Sequence, residues 1–106
     1  YNINKLCVIV ERNRLQIDGN TEEIMKLESV NEKFKSFGWS TIDVDGHNLE
    51  DLLLAYEEAE KIDKPVCIIA NTIKGKGISF MENQAGWHGV APKKEDLNNI
   101  LDNIKI

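Results

Sequence analysis

Three short stretches hold the residue types from which a site could be built. Glu11 to Gly19, reading ERNRLQIDG, follows an apolar run and offers the side-chain oxygens of Asn13 and Asp18 beside Gly19. Oxygen ligands next to a tight turn suit a hard divalent cation, which would need a diphosphate or further carboxylates to complete its shell. The same residues also read as a polar loop in which Asn13 satisfies its own backbone and Asp18-Gly19-Asn20 is a turn. Thr72 to Gly77, TIKGKG, has two glycines that let the backbone approach a ligand, with Lys74 and Lys76 adding positive charge. That combination could cradle phosphate oxygens. It lacks the G-x-x-x-x-G-K-[ST] pattern, and a solvated loop is the alternative. In Ala85 to Gly89, AGWHG, His88 could donate to a phosphate or a developing alkoxide, shuttle a proton near neutral pH, or serve as a hydrogen-bonded structural residue. His47, in DGHN, fits a turn and helix cap, while Glu57, Glu58 and Glu60 fit a solvated helix face. Metal-ligand cysteine pairs, a G-x-S-x-G elbow and G-x-G-x-x-G are all absent, and each absence removes a reaction class.

These stretches must be positioned by regular elements, and the hydropathy pattern supplies them. Leu6 to Val10 is apolar at every position, which predicts an interior parallel strand covered on both faces. Ser40 to Val44 and Val66 to Ala70 are two further short strands, each beyond a helical segment, giving a βαβαβ rhythm. The first long helix is expected to start at Ser29, with Glu32 completing a capping box, to place Val30, Phe34 and Phe37 on one face, and to stop at Gly38. The second starts at Asn48 with Asp51 in the reciprocal position and buries Leu49, Leu52, Leu53, Tyr56 and Ala59, ending before Lys64 and Pro65. A last helix from about Lys94 to Ile104 aligns Leu97, Ile100, Leu101 and Ile104, with Pro92 just ahead. Glu11 to Leu27 and Asn71 to Pro92 stand outside this rhythm, beyond two strand ends. In an open parallel sheet, ligands bind beyond such carboxyl ends.

A chain of 106 residues with 42% hydrophobic and 29% charged residues fits one folded domain or a piece of a larger one. A net charge of −5 argues against nucleic acid or an anionic membrane as partner. No apolar run approaches a membrane span and the opening YNINK carries no leader pattern, so a cytoplasmic setting is expected. Cys7 and Cys67 both lie in apolar runs and are expected to be buried core residues, with a disulfide or redox pair as the alternative.

Taken in order, NKLCVIVERNRLQIDG, FGWSTIDVDGHN, KPVCIIANTIKGKGISFMEN and WHGVAP resemble the diphosphate-binding domain of transketolases, especially the N-terminal subunit of the split bacterial or archaeal form. The resemblance runs through almost the whole chain. It implies a doubly wound α/β fold with a parallel sheet, present here only in part, that holds thiamine diphosphate through Mg²⁺ or Ca²⁺. It implies metal ligation by the Asn13 side-chain oxygen and the Leu15 main-chain carbonyl, together with an Asp from an upstream Gly-Asp-Gly motif. A carbonyl at Leu15 can serve only if its peptide is turned out of any strand ladder. Ile17 matches an apolar position near the cofactor, Gly75 and Gly77 match glycines of the loop by the diphosphate, and Lys74 is placed to steady the diphosphate. His88 matches a His that contacts the diphosphate and the incoming sugar, where it would stabilise oxyanions.

No Gly-Asp-Gly occurs in the sequence, so the resemblance implies that this chain is the C-terminal portion of a longer domain. The implied activity is transfer of a two-carbon ketol unit between sugar phosphates, as in the pentose phosphate pathway. Its partner would be a pyrimidine-binding domain or C-terminal transketolase subunit carrying the activating Glu, in a homo- or hetero-oligomer. Two alternatives stand beside it. One is a deoxyxylulose-phosphate synthase-like enzyme, which shares the KGKG and HG elements; the other is a non-catalytic scaffold of the same fold.

Overall fold

Val66 to Ala70, VCIIA, has no side chain that gains from water, so the fold places it where both faces are covered. In the computed structural model, which describes residues 4–16, 19–20 and 30–104, this segment is the middle of a parallel sheet. The elements in chain order are β1 (Cys7–Arg12), β2 (Leu15–Gln16), β3 (Gly19–Asn20), α1 (Val30–Ser36), β4 (Ser40–Asp45), α2 (Leu49–Lys61), β5 (Val66–Asn71) and α3 (Leu97–Asn103), with 3₁₀ turns at Ala85–Trp87 and Lys94–Asp96. The described residues fall in two units, one within Tyr1–Arg12 and Leu27–Thr72, the other within Asn13–Lys26 and Ile73–Ile106.

The first unit holds the three-stranded sheet, in the order β1-β5-β4. Val66 of β5 pairs with Cys7 on one side and Ser40 on the other, and the register runs on without slip to Arg12, Asn71 and Asp45. Because paired residues share a face, β4 shows which helix lies where. Ile42 and Val44 join Ala55 of α2, Val66 and Ile68 in the core, with Ala59 and Ile62 packed against it. Thr41 and Asp43 point to the other face, where both oxygens accept from the side-chain amide of Asn31 in α1. Helices therefore cover opposite faces, which is the doubly wound arrangement.

The sheet refines the expectations for β1 and its cysteine. Among the described residues β5 lies between two strands and β1 pairs on one side; Cys7, Ile9 and Glu11 of β1 are exposed there and Val8, Val10 and Arg12 are half-buried. Both strands are apolar runs, and hydropathy alone does not say which one takes the centre. β1 also runs on through Glu11 and Arg12, which the hydropathy pattern assigns to the following loop. Cys67 is buried as expected, but Cys7 is exposed, and both are free thiols. Cys7 sits beside Val66 and Cys67 beside Val8, so the two side chains leave the sheet on opposite faces, which excludes a bridge between them.

Burial pushes the Cys67 thiol above its ordinary value, with smaller contributions from Cys7 and Asp43. The stability gained by keeping that thiol protonated is full below the ordinary thiol pKa, about 8.5, and is lost as pH rises through the raised folded value. Native alkylation should therefore modify Cys7 and spare Cys67 until denaturant is added. Equal modification of both under native conditions, read by peptide mass, would refute this packing.

The helix ends follow the sequence closely. Gly38 (φ +87°) lets α1 close with Trp39 N–H donating to Phe34 O (3.1 Å) and Gly38 N–H to Lys35 O (2.9 Å), a Schellman stop. The Phe34 and Trp39 rings meet edge to face at 5.3 Å across it. Asn48 caps α2 by accepting from Asp51 N–H at 3.2 Å. The Ser29 cap lies outside the described residues.

Burial departs further from expectation. In α2 the small Ala55 takes the central contact, while Leu49 (77% exposed), Leu53 and Tyr56 lie open. Phe37 is exposed beside the stop. The last helix opens with the 3₁₀ turn, Lys93 N–H donating to Asp96 Oδ2 at 3.1 Å, and leaves Leu97, Leu101 and Ile104 exposed, with Ile100 half-buried. Among the described residues, no helix is long and apolar enough to cross a membrane.

Candidate functional site

The second unit begins where two neighbouring strands end. Asn13 follows β1 and Ile73 comes two residues after β5, and the ends are tied by Thr72 N–H donating to Arg12 O at 3.1 Å. Directly after β1, the side chain of Asn13 accepts from Leu15 N–H at 3.0 Å, and Arg14 between them takes the left-handed conformation (φ +63°). This is an Asx turn, the local role the polar-loop reading gave Asn13.

The turn also sets up the other role. Leu15 pairs with Asn20, and Gln16 with Gly19, in a short antiparallel hairpin. In such a pair, the N–H and C=O of one residue both face the partner strand or both face away. Leu15 gives its N–H to Asn13, so its carbonyl faces away from β3. An amide oxygen has two lone pairs, and the bond from Leu15 uses one of them in Asn13. The turn thus leaves a second lone pair on Asn13 Oδ1 and a Leu15 carbonyl turned away from β3, on two half-buried residues, the kind of oxygen donors a hard cation takes. Among the described residues, no group of three or more His, Cys, Asp or Glu could hold a metal. A cation at Asn13 and Leu15 would draw its charge balance from elsewhere. Ile17 and Asp18 lie outside the described residues.

The TIKGKG segment closes on itself. Lys76 N–H donates to Ile73 O, Ile78 N–H to Gly75 O and Asn83 N–H to Lys74 O, the last at 2.8 Å. Gly75 and Gly77 both have positive φ, +74° and +99°, but serve different ends. A Cβ on Gly75 would meet Met81 O at 2.6 Å, so this glycine admits the loop's own backbone. A Cβ on Gly77 would meet nothing within 4 Å, so this is the glycine with room for a ligand to approach. Lys74 is half-buried and Lys76 exposed. Unforeseen from the sequence, the Gly77 N–H already has an acceptor, Glu82 Oε1 at 3.1 Å. Nothing in the spacing of Gly77 and Glu82 signals this bond.

Beyond it, Ala85–Trp87 forms a 3₁₀ turn that packs beside β3. The Trp87 ring leans on Phe80 at 5.7 Å, and His88 N–H donates to Ala85 O at 3.0 Å. These contacts anchor the backbone leading into the imidazole, while His88 itself is exposed. Asn13, Leu15, Lys74, Gly75, Gly77 and His88 accordingly belong to one unit. His47 belongs to the first unit, in a turn where its N–H donates to Asp45 Oδ1 at 2.9 Å, and Glu57, Glu58 and Glu60 are exposed on α2, as expected of a solvated helix face. A hollow of about 530 Å³ between α2 and β1, lined by Leu6, Cys7, Tyr56 and Ile62 among others, contains none of the candidate residues.

The family model for transketolase, thiamine diphosphate binding domain, matches residues 1–104. The chain belongs to this family. It is 41% identical over 105 residues to one of the subunits of apulose-4-phosphate transketolase from Phocaeicola vulgatus, covering 98% of this chain and 37% of that one. It is 33% identical over 104 residues to human transketolase, covering 98% of this chain and 16% of the relative. Among solved structures, transketolase from Pichia stipitis in complex with sedoheptulose-7-phosphate superposes with a TM-score of 0.81 at 30% identity, over 90% of this chain and 14% of that one. The chain spans about a third of the length of the bacterial transketolase subunits it matches. This transketolase-family domain is thus an α/β parallel-sheet portion of the thiamine-diphosphate-binding fold.

Proposed function

We propose that the complete protein is a transketolase that moves a two-carbon ketol unit from a ketose phosphate to an aldose phosphate, with Mg²⁺ or Ca²⁺ held by Asn13 Oδ1 and the Leu15 carbonyl. The observation that carries this reading is the Asx turn, which leaves a lone pair on Asn13 and turns the Leu15 carbonyl out of the hairpin ladder. Both donors are neutral, so an upstream carboxylate and the cofactor's diphosphate would supply the negative charge. Bound thiamine diphosphate would supply the carbon–carbon bond-making and bond-breaking chemistry.

The residues of this chain would bind and orient. The Lys74 ammonium offsets diphosphate charge, and the open side of Gly77 lets the backbone come close. The exposed His88 imidazole, its backbone fixed by the Ala85–Trp87 turn, would donate to oxygens of the incoming sugar and of the diphosphate and would stabilise a developing oxyanion. Ile17 supplies apolar contact near the cofactor, by family resemblance. The chain would be the C-terminal portion of the diphosphate-binding domain and would work with a pyrimidine-binding domain or C-terminal subunit in an oligomer, in the cytoplasm. The Phocaeicola relative is named as one subunit of its transketolase, which supports a divided enzyme of this kind.

Two results test this reading. Titration of the isolated chain with thiamine diphosphate and Mg²⁺ should give only weak binding and no turnover, since an upstream Asp and the partner domain are required; micromolar binding by calorimetry would refute that requirement. The complete protein should transfer ketol units between sugar phosphates and should not condense pyruvate with an aldose phosphate. The reverse outcome would assign it to the deoxyxylulose-phosphate synthase type, and no turnover of either kind to a scaffold.

A further inference from the structure

We propose that Glu82 is a built-in occupant of the diphosphate-facing amide of Gly77, which the cofactor must displace, so that Glu82 sets cofactor affinity. The proposal rests on the reading above that Gly77 faces the diphosphate. The Gly77 N–H is a single donor, and in this structure it points at Glu82 Oε1, 3.1 Å away. A phosphate oxygen and a carboxylate oxygen are the same kind of acceptor for such a donor, and both are anionic. They cannot share it, and each repels the other where they approach.

The loop is built so that the carboxylate can leave. Its closure is carried by other bonds, Ile78 N–H to Gly75 O, Glu82 N–H to Ile78 O and Asn83 N–H to Lys74 O, and by Gly75 packed against Met81. Glu82 is therefore held through its backbone N–H, 3.1 Å from Ile78 O, so none of these closing bonds depends on its carboxylate. The space beside Gly77 is open, since a methyl group placed on its Cα would have nothing within 4 Å. Glu82 is thus a positioning residue that keeps the Gly77 donor satisfied when no cofactor is present and gives it up when the diphosphate arrives.

The test is Glu82→Gln and Glu82→Ala in the complete enzyme with its partner, titrated by calorimetry with thiamine diphosphate and Mg²⁺ and separately with inorganic diphosphate. Removing the competing charge should lower Kd on the order of tenfold for both probes. Protection of the Asn83 amide from hydrogen exchange should stay as in the parent enzyme. Unchanged or weaker binding, or loss of Asn83 protection, would overturn the proposal, the last by making the carboxylate a strut of the loop. An Asn13→Ala arm separates the two claims: if it weakens cofactor binding while the Glu82 variants do not tighten it, the metal-site reading stands and this one fails.

Discussion

Asn13→Ala is expected to weaken Mg²⁺-dependent thiamine diphosphate binding by the complete protein on the order of 100-fold, the largest effect of any side-chain change in the candidate site. Loss of outer-shell partners alone costs about 10–100-fold in metal affinity. Here one substitution would remove the proposed ligand oxygen and also the acceptor that turns the Leu15 peptide, since Leu15 N–H is held by Asn13 Oδ1 at 3.0 Å. Released from Asn13, the peptide is free to rotate, and the Leu15 carbonyl no longer faces a fixed point. Arg14, held at φ +63°, adds to the effect, because left-handed backbone at a residue with a Cβ costs roughly 1–2 kcal/mol and persists only while the turn enforces it. Asn13→Asp keeps both the acceptor and the oxygen ligand and should retain metal binding. Calorimetric titration of the three proteins decides it: equal affinity of Asn13→Ala and the parent would remove Asn13 from the site.

Gly75→Ala and Gly77→Ala should differ in kind although the glycines are two residues apart and both left-handed. At Gly75 a methyl would lie 2.6 Å from Met81 O and 2.9 Å from Met81 Cβ, so the backbone on both sides of the loop has to move. The loss should exceed the ~1–2 kcal/mol of a left-handed alanine alone, and exchange of the Ile78 and Asn83 amides should speed accordingly. At Gly77 (φ +99°) the methyl meets nothing within 4 Å, so the loop should bear only the left-handed strain while the methyl occupies the side left open for a ligand. The expected pattern is a strongly loosened loop in Gly75→Ala, and weaker cofactor binding with a less perturbed loop in Gly77→Ala. Equal exchange rates in the two variants would contradict the distinct roles assigned to them.

The elements that could be read from the sequence are those specified by near neighbours. Gly38 ends α1, Asn48 caps α2, and VCIIA is buried, because a cap, a stop and an unbroken apolar run are each decided within a few residues. What escaped was long-range. LCVIV and VCIIA look alike, and hydropathy does not tell that, among the described residues, VCIIA lies between two strands while Cys7 and Ile9 of the other are exposed. Leu49 and Leu53 fit a buried stripe by spacing, yet the sheet face beneath α2 accommodates Ala55.

At the site, Asn13 shows why two readings could not be separated by pattern. The Asx turn and the proposed metal ligand are not rivals: the bond from Leu15 N–H to Asn13 orients the peptide whose carbonyl the proposal uses. Glu82 was invisible for a different reason, since an acid five residues beyond a glycine has no regular geometry linking them, and only the closed loop brings carboxylate and amide together.

Asn13 Oδ1 and the Leu15 carbonyl must be two ligands of one cation if the Asx turn has the function proposed for it. A main-chain carbonyl cannot be removed by substitution, so the direct measurement is a crystal structure of the complete protein with thiamine diphosphate and Mn²⁺ in place of Mg²⁺, with the metal located by its anomalous scattering. A single peak within about 2.0–2.6 Å of both oxygens is the expected result. A metal bound to the diphosphate with either oxygen pointing elsewhere would contradict it.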